Sequence, residues 1–176
     1  QNTKNILDKW IISKLNGLIR QVMESLDKYD VTASARAIEK FTVEELSLWY
    51  IRRSRKRFKE ASATLRYVLL TLSRLTAPFI PFLSEEIYKC LEPGTKQSVH
   101  LENWPKADKK LIDKELKEKM EKVREIIGLV LAERAKAGIK GRQPLSKLKI
   151  KNLKLKINEE LLDLIKDEVN VKEIIF

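Results

Sequence analysis

Apolar residues recur at three- and four-residue steps through the first part of the chain, between residues 8 and 29. Polar residues fill the positions between them, so the apolar side chains lie on one face of a helix of about six turns. These apolar positions are Trp10, Ile11, Leu15, Leu18, Ile19, Val22, Met23 and Leu26. The pattern predicts an amphipathic helix that packs against further helices.

Two more helices follow in the pattern. Asp30 or Thr32 can cap a second helix that ends near Phe58, and a third begins around Ala61. Pro78 and Pro81 then break the helical pattern twice, because proline lacks the amide donor and clashes with the preceding turn. We expect Ser84, with Glu85 and Glu86, to satisfy the free amides of the helix that restarts there.

The remaining pattern changes from helical to alternating. Residues 95–105 read as an extended crossing loop in which Leu101 and Trp104 hold the chain to the helices. A long helix is predicted over residues 108–137, ended by Gly138. Beyond it, apolar residues alternate with lysines, as in half-buried strands. The predicted fold class is mainly α: a helical bundle over residues 1–143, then a small α+β appendage of strand, strand, helix and strand over residues 144–176.

The net charge of the chain says more about its partners than its overall composition does. The chain has 176 residues, 43% of them hydrophobic and 35% charged, which is ordinary for a globular domain. Its formal net charge of +11 favours an anionic partner, and phosphate backbones are the commonest such partner. No apolar run is long enough to span a bilayer and no secretory pattern opens the chain, so we expect a cytoplasmic protein with no membrane partner.

The chain offers no catalytic constellation. Cys90 is the single cysteine and His100 the single histidine, so neither a disulfide nor a zinc cluster is expected. The phosphate-cradling and dinucleotide-binding loops are also missing. His100 and Glu102 flank Leu101 and could form an acid/base pair, although a solvated histidine is the simpler interpretation.

The first concentration of positive charge follows Trp49 and Tyr50. Trp49 is expected to face the core, which leaves Tyr50 freer to stack on an unpaired base. A solvated basic helix end is the structural alternative. The candidate RNA contacts here, called the first basic patch below, are Tyr50, Arg52, Arg53, Arg55, Lys56 and Arg57.

A second basic run begins at Arg134. Within it, residues 138–144 contain two glycines and a proline, so this loop can expose backbone amides beside an arginine fork. A hinge between bundle and appendage is the structural alternative. The candidate RNA contacts of the 138–144 loop, called the second basic patch below, are Lys140, Arg142 and Gln143.

Five segments in this order resemble the carboxy-terminal, tRNA-reading region of class I isoleucyl-tRNA synthetases. They are DKWIISKLN at residues 8–16, VEELSLWYIRRSRKRF at 43–58, LTAPFIPFLSEEIY at 75–88, LENWP at 101–105 and AGIKGRQPLSKL at 137–148. The arginines that directly follow the Trp-Tyr pair resemble the isoleucine branch. The sequence departs from the family pattern at Gly141, where relatives carry a bulkier apolar residue, and at residues 59–61, where relatives have a longer connection.

The resemblance implies an anticodon-binding helical bundle that contacts the anticodon arm of isoleucine tRNA, with both basic patches as its contacts and Trp49 supporting the first from beneath. The parent enzyme would be an isoleucine–tRNA ligase of protein biosynthesis that uses ATP and Mg²⁺. This chain would hold no cofactor, no metal and no catalytic residue. Its partners would be isoleucine tRNA and the catalytic domain of the same polypeptide, and we expect a monomer.

Other functions remain open from sequence. Valyl- and leucyl-type synthetases share the bundle, and a fragment of one of these is the alternative nearest to the main interpretation. A free-standing RNA-binding module would share the basic patches without a catalytic partner. A protein-interaction bundle would use the same basic surface against an acidic protein.

Overall fold

A computed structural model describes residues 5–94, 97–150 and 158–175. The chain forms two compact units, Gln1–Asp113 and Lys114–Phe176. This grouping differs from the predicted division after residue 143, because the long helix of the middle of the chain packs against the last helix within the second unit.

The first unit is helical, as the periodicity predicts. Asn5 begins α1 by accepting a hydrogen bond from the Leu7 amide at 2.9 Å, and Asp30 begins α2 by accepting from the Ala33 amide at 2.8 Å. The elements are α1 Ile6–Leu26, α2 Val31–Lys40, a π-helix Phe41–Ile51 (π1), α3 Arg52–Ser54, a 3₁₀ turn Arg55–Arg57, α4 Phe58–Thr76, α5 Pro81–Leu91, and 3₁₀ turns Val99–Leu101 and Lys109–Leu111.

Helix α1 lies at the centre of this unit and packs against α2, π1 and α4. The apolar face predicted for it is the buried face: Trp10, Ile11, Leu15, Ile19 and Val22 are each at most 1% exposed. Each such side chain contributes about 1.5–3 kcal/mol when removed from water. The core therefore forms around the first helix of the chain.

The proline joint divides α4 from α5, as the sequence predicts. The predicted cap is wrong, because α5 begins at Pro81 and Ser84 already lies inside it, donating its amide to the Ile80 carbonyl at 3.0 Å. Proline suits the first helical position, where its missing amide would have no helical partner. The Ser84 hydroxyl instead forms a 2.8 Å hydrogen bond with the Thr76 hydroxyl across the joint.

Glu85 and Val99, which the sequence did not single out for this role, hold part of the crossing loop. Glu85 accepts hydrogen bonds from the Ser98 hydroxyl and the Val99 amide, both at 2.9 Å, and pairs with Lys89 at 3.1 Å. Val99 is 3% exposed, whereas Leu101 is 75% exposed. The prediction that Leu101 holds the loop is therefore wrong, because the 3₁₀ turn directs Val99 inward.

The second unit contains α6 Lys114–Lys136, β1 Leu145–Lys149, α7 Glu159–Val169 and β2 Val171–Ile175. The two strands are parallel, with Leu145 opposite Val171 and Leu148 opposite Ile174. Parallel neighbours require a crossover, and α7 lies in that connection. The sequence also predicts a helix and a final strand in this part of the chain, while the strand predicted at residues 153–157 lies outside the described residues.

Candidate nucleic-acid interface

The first basic patch lies at the end of one helical run from α2 to the 3₁₀ turn Arg55–Arg57. Its middle is π1, in which each amide reaches five residues back and the helix is wider than an α-helix. The backbone tightens again at the 3₁₀ turn, ending at Arg57 with φ −118°. Successive basic residues therefore point in different directions around the run.

Tyr50, Asp8 and Arg57 form one hydrogen-bonded cluster beneath the patch. The Tyr50 hydroxyl donates to Asp8 Oδ1 at 2.7 Å. The Arg57 guanidinium donates through Nη2 to Asp8 Oδ1 at 2.6 Å and through Nη1 to Asp8 Oδ2 at 3.1 Å. Burial first, and then the hydrogen bond to the Asp8 carboxylate, raises the pKa of Tyr50 far above its ordinary value. The Asp8 carboxylate neutralises Arg57 where little water reaches the pair.

This cluster corrects two predicted RNA contacts. Tyr50 is fully buried, so the expectation that it is the freer aromatic residue is wrong and its ring cannot stack on a base in this conformation. Arg57 has a side chain only 14% exposed and is committed to Asp8. The physical reason is the Asp8 carboxylate on the buried face of α1, which draws both polar groups inward.

Trp49 is 7% exposed, which agrees with the prediction that it faces the core. The Arg53 guanidinium lies over its ring, with the central carbon 3.2 Å from the ring centroid. Arg53 also donates to the carbonyls of Leu48 and Trp49, each at 3.2 Å. This arrangement is a cation–π stack that covers Trp49 and orients Arg53.

The exposed part of the first patch is smaller than predicted. Arg52, Arg55 and Lys56 are exposed, and Arg53 is partly so. Arg55 and Lys56 make no ion pair with another described residue. These side chains can meet a phosphate backbone, while Tyr50 and Arg57 hold the helix end in place beneath them.

The second basic patch occupies a surface loop that begins where α6 ends. Gly138 has φ +67°, and Ile139 donates its amide to the Arg134 carbonyl at 2.9 Å, which closes the helix end. Lys140, Arg142 and Gln143 are all exposed. The loop therefore presents the side chains that the sequence singled out, and they belong to the second unit rather than the first.

The sequence analysis did not identify two buried charged residues that support these patches. Asp8 is one helical turn ahead of Ile11 and Ile12 on the apolar face of α1, so its position was a readable sign of a buried carboxylate. Arg134 begins the second basic run in the sequence, yet it is 4% exposed. Its position four residues after Val130 on α6 was only a weak sign of burial.

The described residues contain no group of His, Cys, Asp and Glu that could hold a metal ion. The suggested partner of His100 is engaged elsewhere, since Glu102 accepts from the Tyr88 hydroxyl at 2.7 Å and pairs with Arg74 at 3.0 Å. Within those same residues, every helix is too short or too polar to cross a membrane.

Comparison with known proteins shows the family of the chain. The family model described as the anticodon-binding domain of tRNA ligase matches residues 8–150. The chain belongs to this family. The matched span includes both basic patches of this anticodon-binding domain, together with Asp8 and Arg134.

Curated relatives of this anticodon-binding domain bear the name isoleucine–tRNA ligase. The protein from Clostridium tetani is 44% identical over 99% of this chain and 18% of its own length. Those from Thermus thermophilus and Streptomyces avermitilis are 40% and 41% identical, over 96% and 94% of this chain and 18% and 17% of their own lengths. The chain thus spans less than a fifth of the relatives that it matches.

The alignment with the Clostridium tetani protein covers 187 positions, which exceeds the 176 residues of this chain. The relative therefore has residues in this region that the anticodon-binding domain described here lacks.

Proposed function

We propose that this chain binds the anticodon arm of isoleucine tRNA as the carboxy-terminal part of an isoleucine–tRNA ligase. The observation that carries the proposal is the family match over residues 8–150, which takes in both basic patches. Relatives named isoleucine–tRNA ligase, 40–44% identical, supply the amino acid in the proposal. Basic composition alone would not favour isoleucine over another acceptor.

Binding would rest first on the phosphate backbone. Arg52, Arg55 and Lys56 are exposed in the first patch, and Lys140 and Arg142 in the second. Cations that neutralise phosphates release condensed counterions, so affinity falls steeply as salt is added. These contacts orient the RNA without reading its sequence.

Base recognition would need hydrogen bonds to base edges, and a side-chain amide can both donate and accept them. Gln143 carries such an amide in an exposed loop. Trp49 and Tyr50 are buried and cannot provide the stacking surface that single-stranded RNA readers use. The reading of bases would thus depend on few side chains of this chain.

The parent enzyme would carry out the aminoacylation reaction. Its catalytic domain, elsewhere in the polypeptide, would activate isoleucine with ATP and Mg²⁺ and transfer it to the tRNA in the cytoplasm. This chain would contribute tRNA binding alone, hold no cofactor and act as a monomer.

A salt-series binding titration tests the proposal. The chain is titrated with isoleucine tRNA, valine tRNA and an isoleucine tRNA whose anticodon is substituted. We expect tighter binding to the unaltered isoleucine tRNA than to the other two, and a steep loss of affinity with salt for all three.

Two outcomes would contradict the proposal in different ways. Equal binding to all three tRNAs would reject anticodon discrimination by this chain and leave a general phosphate-binding surface. Stronger binding to an acidic protein or to polyglutamate than to any tRNA would favour the protein-interaction alternative.

A further inference from the structure

Arg134 is a buried cation without a carboxylate partner among the described residues. Its side chain instead donates to backbone carbonyls: Nη1 to Val169 at 3.1 Å, and Nη2 to Lys140 at 2.7 Å and to Gln143, with Gly141 at 3.5 Å. Val169 ends α7, where the helix dipole is negative and stabilises a cation. Three of these four carbonyl acceptors thus belong to one loop, the loop of the second basic patch.

Asn170 holds the one remaining carbonyl of residues 140–143. Its side-chain amide donates to the Arg142 carbonyl at 2.8 Å, from a residue with φ +52° at the end of α7. The carbonyls of Lys140, Gly141, Arg142 and Gln143 are therefore all turned toward Arg134 or Asn170. A surface loop would ordinarily leave most of them to water.

The direction of the carbonyls fixes the direction of the amides. In a trans peptide the carbonyl and the following amide point in opposite directions, and no cis peptide occurs among the described residues. The amides of Gly141 and Arg142 follow carbonyls that point to Arg134, so these two amides point away from it. Neither donates to an acceptor in the described part of the chain. Consecutive outward amides in a turn are an arrangement that binds anions, and here the Lys140 and Arg142 side chains lie beside them.

We propose that Arg134 and Asn170 are positioning residues that hold the 138–144 loop in a phosphate-binding conformation, with the anion received by the Gly141 and Arg142 amides and the Lys140 and Arg142 side chains. The anion is a phosphate of the RNA backbone. This inference rests on the proposed function, because it gives the second basic patch its geometry. Arg134 itself is too deeply buried to touch the RNA.

Two variants loosen the loop with little change elsewhere. Arg134→Lys keeps the buried charge but has all its donors on one nitrogen, so it cannot span the Val169 carbonyl and the loop carbonyls as the forked guanidinium does. Asn170→Gly removes the hydrogen bond to Arg142 while glycine keeps the left-handed backbone. Lys122→Gln, on the exposed face of α6, is the control for a generic change in the second unit.

The first measurement does not involve RNA. Trypsin can cut after Lys140 and Arg142, and a held loop resists cleavage. We expect both variants to be cut there several-fold faster than the wild-type chain, with no change in cleavage after Arg55 or Lys56 in the first unit. Circular dichroism checks that each variant remains folded. Unchanged cleavage at Lys140 and Arg142 would overturn the positioning role.

The second measurement is a double-mutant cycle of tRNA affinity. Arg134→Lys is made in the wild-type chain and in Lys140→Gln/Arg142→Gln, and each protein is titrated with isoleucine tRNA over a salt series. We expect Arg134→Lys to weaken wild-type binding about fivefold and to flatten its salt dependence. In the double variant its effect should be clearly smaller, because only the amide contacts that it positions remain.

The outcomes separate this inference from the proposed function. If wild-type chain binds tRNA but Arg134→Lys weakens both backgrounds equally, Arg134 acts through general stability and the positioning role is rejected. If Arg134→Lys changes neither background, the loop does not contact the phosphate. If wild-type chain binds no tRNA at all, the proposed function fails, and this inference fails with it.

Discussion

Arg57 and Asp8 are 49 residues apart in the chain and joined by two hydrogen bonds, of 2.6 Å and 3.1 Å. The pair links the last residue of the 3₁₀ turn to the first turn of α1. Arg57 also donates to the Ser54 hydroxyl at 3.0 Å, so the guanidinium fixes the end of its own helical run. The exposed cations Arg52, Arg55 and Lys56 are therefore carried on an anchored backbone.

Replacing Asp8 should destabilise the chain strongly. Asp8→Asn removes the charge that neutralises Arg57 and weakens the acceptor of the Tyr50 hydroxyl. Breaking a buried pair from one side costs about 3–5 kcal/mol, and the partial exposure of Arg57 places the expected loss near 3 kcal/mol. Urea unfolding at neutral pH measures it.

Glu24→Gln is the matched control, since Glu24 is on the same helix and pairs with Arg20 at the surface, at 3.7 Å. We expect it to change the free energy of unfolding by less than about 0.5 kcal/mol. A loss for Asp8→Asn no larger than that of the control would contradict the anchoring role of the pair.

The buried tyrosine predicts a fall in stability at alkaline pH. The pKa of Tyr50 is raised in the folded chain by burial and by Asp8, relative to the ordinary value of 10.0. A raised folded pKa gives a contribution that is complete below the unfolded pKa and is lost as pH rises above it, because the unfolded chain then releases the proton more readily. Tyr50→Phe removes this contribution.

The measurement compares free energies of unfolding at about pH 9 and pH 11. Tyr50→Phe should be less stable than wild type at pH 9, and its stability should fall less between the two values. Tyr29→Phe, at a site 93% exposed, should follow the wild-type curve. Parallel curves for Tyr50→Phe and wild type would reject the raised pKa.

How far the sequence predicts this structure depends on which interactions are local. The faces of α1 and the break at Pro78 and Pro81 follow from periodicity and from proline chemistry, which act over a few residues. The burial of Tyr50 does not follow from any local pattern, because it depends on a hydrogen bond to Asp8, 42 residues away. Trp49 was predicted correctly since its place on the apolar face is a local property.

The same distinction applies to the second patch. The glycines and proline of the 138–144 loop mark it as a surface turn in the sequence. Its conformation is set by Arg134 and by Asn170, which is 28 residues beyond Arg142. A run of basic residues gives no sign that one member is buried, because burial of Arg134 requires the carbonyls that only the folded loop and α7 provide.

Because of the hydrogen bonds that the Glu85 carboxylate accepts, we expect the chain to lose stability in acid. The Val99 amide, then the Ser98 hydroxyl and Lys89, bond the carboxylate and lower its pKa below the ordinary 4.5. A lowered folded pKa gives a contribution that is present above the unfolded pKa and is lost as pH falls through the folded value. Glu85→Gln should therefore be less stable than wild type at neutral pH, and the difference should shrink below about pH 4.5.

Thermal unfolding at pH 7 and at about pH 3.5 measures this difference. Glu86→Gln is the matched control, because Glu86 is the next residue on α5 and is exposed. A stability difference between Glu85→Gln and wild type that is the same at both pH values would show that the carboxylate does not hold the crossing loop.

The first patch predicts a specific change in salt dependence. Arg55→Gln/Lys56→Gln should weaken binding to every tRNA tested and reduce the slope of log affinity against log salt by about 1 for each lost phosphate contact. The control Lys109→Gln/Lys110→Gln removes the same charge from an exposed turn of the same unit.

If both double variants reduce the slope equally, the effect is that of net charge and not of the patch. If the wild-type chain shows a steep slope of log affinity against log salt and Arg55→Gln/Lys56→Gln leaves that slope unchanged, the phosphate contacts lie elsewhere on the chain. Circular dichroism of both variants confirms that folding is retained, as expected for exposed side chains.

The most direct test of anticodon-arm binding is a nuclease footprint of isoleucine tRNA with the 176-residue chain bound. We expect protection confined to the anticodon stem and loop, and we expect Arg55→Gln/Lys56→Gln and Lys140→Gln/Arg142→Gln each to reduce it. Protection of the acceptor stem instead, or weak protection spread evenly over the whole tRNA, would contradict it.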